Sequence, residues 1–158
     1  KILRTQAISL NIMKSEFFNR QSANTTSDSE ERLLATAIEL RELLWLHRPV
    51  HVYCESPFFR AATATAFASL TRLIQVIKNV LREFNDAIPF YLIDPPRAKK
   101  AVGAKGNAKK DEMTIAIEKL RPTISLETLT EDLTEHSVDS TAICYWGYTT
   151  HAKLEKPL

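Results

Sequence analysis

A carboxylate at the end of a short apolar run is the first residue in this sequence with the chemistry for a catalytic site. Glu55 follows the β-branched and aromatic run Val50 to Cys54, and a proline, two phenylalanines and a long helical pattern come after it. This order predicts a buried strand with Glu55 at its carboxyl end, which is where open α/β sheets hold their active sites. The alternative is that Glu55 is an ordinary exposed loop residue.

A second pair of candidate ligands lies near the end of the chain. His136 and Asp139 are three residues apart, so they share one face of a helix predicted from Glu135 to about His151. Asp139 precedes a largely buried pattern, where a carboxylate is costly unless a cation neutralises it. The alternatives are that Asp139 bonds a neighbouring backbone group and that His136 is an ordinary exposed residue.

Together, Glu55, His136 and Asp139 would supply oxygen and nitrogen ligands from separated parts of the chain. Mg²⁺ prefers carboxylate oxygens, keeps several waters and binds substrate phosphates. Two such ions about 4 Å apart can activate a water and stabilise the leaving oxygen in phosphodiester cleavage. A basic segment beside these ligands would hold the flanking phosphates. These features indicate a nuclease.

The basic segment covers residues 97–110. The net charge of the chain is only +2, so the positive charge is local rather than general. The segment also contains two of the three glycines, which predicts a flexible loop. Its basic residues are Arg97, Lys99, Lys100, Lys105, Lys109 and Lys110.

The hydrophobic pattern alternates between strand and helix, and 158 residues fit a single domain. A helix between two all-apolar strands is typical of a parallel βαβ unit, and its right-handed crossover would place Glu55 and Asp94 at one edge of the sheet. We predict a first strand ending near Asn11, a second at Val50 to Glu55 and a third at Pro89 to Asp94. The predicted helices run from Ser27 or Asp28 to Arg48, Ala62 to Asn85, Ala108 to Leu120 and Glu135 to His151.

Two cysteines and the absence of long apolar runs exclude several classes of protein. Cys54 and Cys144 have no CxxC spacing, which argues against a zinc cluster and a disulfide framework. No apolar run approaches the roughly 20 residues of a membrane span, and no signal peptide is visible. We therefore expect an intracellular protein that works without a membrane.

Between about Thr5 and Tyr148 the chain resembles the RuvC-type Holliday junction resolvases of the RNase H-like superfamily. The resemblance rests on the order and separation of Glu55-Ser-Pro-Phe58, the basic segment with its two glycines, and His136-Ser-Val-Asp139. It implies an α/β fold of the RNase H-like type, with a mixed sheet flanked by helices on both faces.

The resemblance also implies roles for individual residues. Glu55, His136 and Asp139 would be ligands of Mg²⁺, with Mn²⁺ as a substitute, and Phe58 would contact bases at the junction unless it is a core residue. The lysines that contact or polarise the scissile phosphate map best onto Lys100 and Lys110, so Lys110 becomes a catalytic candidate. The neighbours Lys99 and Lys109 leave the register open, and Arg97 and Lys105 join them as DNA-binding candidates.

The family opens with a strand whose aspartate, in a sequence like Gly-Ile-Asp-Pro-Gly, supplies the central metal ligand, and that motif does not occur here. We expect a single nuclease domain over residues 1–158 that is incomplete at its N-terminus, with the missing strand upstream rather than lost. A sheet without its central strand leaves edges unpaired. This chain by itself is therefore expected to be inactive and unstable.

The resulting hypothesis is a Mg²⁺-dependent endonuclease that nicks symmetrically related strands of a four-way DNA junction, leaving 5′-phosphate and 3′-hydroxyl ends. Resolution needs two active sites, so we predict a homodimer, and the alanine-rich stretch from Ala61 to Ala68 is a candidate packing surface. The protein would act wherever DNA is recombined. The alternatives are a nuclease of the same fold that cuts flaps or other branched DNA, and a non-catalytic DNA-binding module.

Overall fold

A computed structural model describes residues 3–5, 28–57, 64–120, 124–126 and 135–151. In these ranges strands and helices alternate, which confirms the predicted α/β class. The elements are, in chain order, β1 (Leu3–Thr5), α1 (Asp28–His47), β2 (Val52–Glu55), α2 (Ala64–Asn85), β3 (Phe90–Ile93), α3 (Pro95–Ala101), α4 (Lys110–Leu120), β4 (Ile124–Leu126) and α5 (Glu135–His151). None of the described helices is long and apolar enough to cross a membrane.

The described strands form two separate pairs, β1 with β4 and β2 with β3. The amide of Val52 donates to the Pro89 carbonyl at 3.0 Å and that of Ser56 donates to the Ile93 carbonyl at 2.9 Å. Both bonds advance by the same step along each strand, so β2 and β3 run parallel, joined through α2 as the predicted βαβ unit. β1 and β4 are also parallel, with Leu3 opposite Ile124.

The chain divides into two compact units, one of residues 1–8, 53–56 and 91–158 and the other of residues 9–52 and 57–90. The second unit is built on the pairing of α1 with α2. Its buried core consists of Ala37, Leu44, Val80 and Leu81. The ring of Trp45 packs edge-on against Phe84 with centroids 5.3 Å apart. This packing lets two amphipathic helices bury one stripe each.

The first unit packs α5 against α3 and α4. On α4, Met113, Ala116 and Ile117 recur with helical spacing and are buried. The helix begins at Lys110, where the preceding amide of Lys109 donates to the Glu112 carboxylate at 2.9 Å. That bond is one half of a capping box, and the acidic first turn complements the helix dipole.

The prediction of a flexible loop over residues 97–110 was wrong for residues 97–101, which are helical. Pro95–Ala101 forms α3, with Asp94 at the N-cap and prolines at its first two positions, where proline's fixed φ favours a helix start. Ala98 and Val102 are buried on the inner side of this segment. Gly103 then adopts a φ of 83° and donates to the Lys100 carbonyl at 3.1 Å, which is a conformation that favours glycine. The basic residues of this segment therefore lie on α3 and on the turns that follow it.

Candidate active site

Glu55 is the last residue of β2, as the sequence predicted. The bond from the Ser56 amide to the Ile93 carbonyl, 2.9 Å long, fixes the end of this strand beside the end of β3. Asp94 therefore lies at the same edge, as the N-cap of α3. Glu55 belongs to a strand rather than a loop, but it is exposed, and the strand is partly buried rather than buried as predicted.

The first turns of α5 carry His136, which is exposed, and Asp139, which is partly buried. Val138 and Ala142 are almost fully buried, at 1% and 0% exposure, and anchor this end of the helix in the core of the first unit. Asp139 therefore extends from a well-packed helical turn. Such support limits how far a ligand can move from its working position.

Electrostatics show which groups lie near Glu55. Partial loss of water around the carboxyl raises the pKa of Glu55, and the negative charge of Asp139 raises it further. His136 and Lys99 act in the opposite direction. The charges of Asp139, His136 and Lys99 thus all act on Glu55, while solvent at Glu55 limits the strength of each interaction.

The Asp139 carboxylate disfavours ionisation of Glu55, and a divalent cation beside two carboxylates and an imidazole would offset that repulsion. Within the described ranges, no three His, Cys, Asp or Glu side chains form a group that could hold a metal ion. Glu55, His136 and Asp139 carry oxygen and nitrogen donors of the types that divalent ions take. Their role as metal ligands stays a prediction.

Lys99 is the lysine of the basic segment whose charge acts on Glu55. Its Nζ donates to the carbonyl of Ala108 at 2.9 Å and is partly buried. This bond ties α3 to the residues just before α4. The sequence favours Lys100 and Lys110 at the phosphate and leaves the register to Lys99 and Lys109 open, and that assignment stays a prediction. The remaining lysines of the segment, Lys100, Lys105, Lys109 and Lys110, are exposed.

The side chain of Arg97 packs against an aromatic ring. Its guanidinium lies 5.4 Å from the centroid of the Trp146 ring, a cation–π arrangement. Trp146 belongs to an aromatic cluster formed with Tyr53, Tyr91 and His151, which the sequence analysis missed. Phe58, the predicted base-contacting residue, lies outside the described residues.

No protein-family model matches the chain, but an individual protein of known family does. A crossover junction endodeoxyribonuclease RuvC from Thermomicrobium roseum is 32% identical over 128 residues, which is 80% of this chain and 74% of that protein.

Two solved structures are similar in fold. The Thermus thermophilus RuvC structure has a TM-score of 0.59 at 23% identity, covering 85% of this chain and 79% of that one. RuvC of the same organism in complex with a Holliday junction substrate has a TM-score of 0.61 at 22% identity, covering 85% and 80%. These likenesses confirm the predicted RNase H-like fold, and the identity to the curated relative shows the family. The chain belongs to the RuvC family of crossover junction endodeoxyribonucleases.

Proposed function

We propose that this chain is the nuclease domain of a structure-selective DNA endonuclease that resolves four-way junctions by divalent-metal-dependent hydrolysis. The proposal is supported by the position of Glu55 at the end of β2, together with the charges of Asp139, His136 and Lys99 that act on it. The Thermomicrobium roseum relative is named a crossover junction endodeoxyribonuclease, and the Thermus thermophilus relative has been seen with a Holliday junction. Both support this substrate class.

Glu55, Asp139 and His136 would hold Mg²⁺, or Mn²⁺ in its place. When bound, the ion supplies a lowered pKa for its water and charge stabilisation at the phosphate. The protein's own contribution is to orient both carboxylates from a strand end and a packed helical turn, while His136 and Lys99 favour the ionised form of Glu55. Because the pKa of Glu55 is raised, protons compete for this ligand at higher pH than for an ordinary glutamate. Activity should therefore fall as the pH is lowered through the raised pKa.

The basic segment would bind the DNA backbone. Lys100, Lys105, Lys109 and Lys110 are exposed, and charged side chains of this kind contact phosphates without reading bases. The protein would then select a junction by the spatial arrangement of its phosphates. We further propose that Phe58 contacts bases, that Lys110 acts at the scissile phosphate, and that residues 1–158 form one domain of a homodimer that makes paired nicks.

The test is cleavage of synthetic DNA by the full-length protein. With Mg²⁺ or Mn²⁺ we expect paired, symmetric nicks in a four-way junction and slower cutting of flaps and linear duplex. Chelation of the metal should stop cleavage and leave junction binding in place. A protein that binds junctions but cuts none with either ion would be a DNA-binding module, and faster cutting of flaps would reassign the substrate; either result contradicts the proposal.

Replacing Lys99 by methionine is expected to slow cleavage at saturating junction by about 10- to 100-fold, the equivalent of one charge-assisted hydrogen bond. Lys99 both acts electrostatically on Glu55 and bonds the Ala108 carbonyl, so its loss removes positive charge at the site and frees the turn before α4. The measurement is the single-turnover cleavage rate.

The matched control is Lys100→Met, which removes an exposed neighbour on the same helix. A lysine that only contacts phosphate should weaken binding and reduce the salt slope by about one, with little change in rate at saturation. Equal effects of the two substitutions on the saturated rate would show that Lys99 has no special role.

A further inference from the structure

The aromatic cluster of Tyr53, Tyr91, Trp146 and His151 joins β2 to the carboxyl-terminal half of α5. The hydroxyl of Tyr53 lies 3.0 Å from Nδ1 of His151. The Tyr53 ring is stacked with Tyr91 at 5.4 Å and meets Trp146 edge-on at 6.4 Å between centroids. Tyr53 therefore touches the helix through both its ring and its hydroxyl.

Gly147 is the point of closest approach between this ring and α5. A Cβ added at Gly147 would lie less than 3.0 Å from three ring carbons of Tyr53, a separation that real Cβ atoms essentially never show. Glycine in a helix interior is unfavourable relative to alanine. Its presence here is explained by the ring that occupies the space of the missing side chain.

The same two elements carry the proposed metal ligands. Tyr53 and Glu55 are two residues apart on β2, so they face the same side of the strand. His136 and Gly147 are eleven residues apart on α5, about three full turns, so they lie on nearly the same face of the helix. The strand face that meets α5 at Gly147 is therefore the one on which Glu55 lies in range of His136 and Asp139.

We propose that the contact between Tyr53 and Gly147, held by the hydrogen bond to His151, is a positioning contact that sets how closely α5 approaches β2. It would thereby fix the separation of Glu55 from His136 and Asp139. Tyr53 is a positioning residue in this arrangement, because it acts through α5 and not on the substrate. The inference rests on the proposed nuclease function for its catalytic consequence, but its geometric consequence can be measured without DNA.

The first variant is Gly147→Ala in the full-length protein. Its methyl group must push the Tyr53 ring and α5 apart, so we expect Mn²⁺ affinity, measured by electron paramagnetic resonance without DNA, to fall about 10-fold or more. Cleavage at saturating junction should fall about 100-fold, as expected for a displacement on the order of 1 Å. The melting temperature should also fall, although alanine is the better helix former.

The second arm places the same change in a Tyr53→Ala background. Without the ring, Gly147→Ala relieves only the helix penalty of glycine, so it should raise the melting temperature and leave Mn²⁺ affinity unchanged. Gly147→Ala would then lower the melting temperature when the Tyr53 ring is present and raise it when the ring is absent. This difference separates the effect of the contact from any general effect on α5. If Gly147→Ala lowers the melting temperature equally in both backgrounds, the contact is not the cause and the inference is overturned.

The milder variant Tyr53→Phe keeps the ring and removes the bond to His151. If this hydrogen bond helps to position the proposed ligands, its loss should lower Mn²⁺ affinity by about 3- to 10-fold, which is the usual worth of one neutral hydrogen bond. The control Tyr148→Phe makes the same change on α5 at a residue outside the aromatic cluster and should have no effect. Loss of thermal stability with unchanged Mn²⁺ affinity in Tyr53→Phe and Gly147→Ala would mean that the contact is only structural.

These outcomes separate the two proposals. A wild-type protein that binds Mn²⁺ but cuts no junction contradicts the proposed function, while the Mn²⁺ affinities of the variants still decide the positioning role. A wild-type protein that cuts junctions, with variants that bind Mn²⁺ and cut at the wild-type level, overturns the positioning role alone. A protein that neither cuts nor binds Mn²⁺ contradicts both.

Discussion

Replacing Glu55 by glutamine is expected to abolish junction cleavage while leaving junction binding intact. Glutamine keeps the size of the side chain at the end of β2 but removes the charge that a divalent ion requires. Changing a residue that only hydrogen-bonds to a metal ligand typically lowers metal affinity or activity by about 10- to 100-fold. Loss of a ligand itself should therefore lower the cleavage rate by more than about 100-fold. The measurement compares single-turnover cleavage in Mg²⁺ with binding in Ca²⁺.

The control for this variant is Glu42→Gln, which neutralises an exposed glutamate on α1. It should cut junctions at the wild-type rate, because Glu42 is exposed and belongs to the second unit, whereas the proposed ligands belong to the first unit. Cleavage by Glu55→Gln at more than about a tenth of the wild-type rate would remove Glu55 from the proposed ligand set, since the expected loss is at least 100-fold.

The same substitution has a consequence for stability that needs no metal or DNA. The pKa of Glu55 is raised in the folded protein, first by loss of water and then by Asp139. Between its ordinary and its raised pKa the folded protein binds more protons than the unfolded chain, so the free energy of unfolding falls as the pH rises. Below this window the carboxyl is protonated in both states and carries no penalty. Glu55→Gln should therefore be more stable than the wild type above the window and should lose this advantage below it.

An active site that costs stability is expected where function requires like charges to face each other. Glu55 and Asp139 repel one another in the absence of an ion, while Lys99 and His136 offset part of that cost. A divalent ion would reverse the sign of the carboxylate interaction, so metal binding and folding should be linked. The stabilisation of this region by the ion is therefore part of the proposed function and not a separate property.

The elements that could be predicted from the sequence are those with a strong local pattern. The strand at Glu55 ends where it was predicted to end, although it begins at Val52 rather than Val50, and the helix from Glu135 to His151 has the predicted bounds, because a β-branched run and a sustained helical period leave few alternatives. The helix α3 was missed because lysines and glycines dominated the interpretation of residues 97–110. Its Asp-Pro-Pro start was the local signal for a helix.

The arrangement of the site depends on contacts between distant residues, which local patterns do not encode. Lys99 was not singled out among six basic residues because its distinguishing features are a bond to the Ala108 carbonyl and its charge near Glu55. The aromatic cluster was missed because Tyr53, Tyr91 and Trp146 come from three separate elements. Gly147 was a usable signal, since an isolated glycine inside a helical pattern often marks a close approach of another group.

Asp139→Asn is the second substitution with a large expected effect. It removes the other carboxylate of the proposed ligand set, so cleavage should again fall by more than about 100-fold while junction binding persists. Asparagine preserves the volume of the side chain between the buried residues Val138 and Ala142. The cleavage assay and the Ca²⁺ binding assay used for Glu55→Gln measure both consequences, and Asp111→Asn on α4 is the matched surface control.

The order of the causes acting on Glu55 also predicts how its pKa responds to this change. Removing Asp139 deletes the second cause and leaves the first, which is loss of water. The pKa of Glu55 in Asp139→Asn, followed by carbon-13 chemical shifts of its carboxyl group, should therefore fall. Lys99→Met should shift the same pKa upward, because Lys99 favours the ionised form. Shifts of the same sign in both variants would mean that Asp139 and Lys99 do not act on Glu55 as charges, and the proposed site would lose the convergence on which it rests.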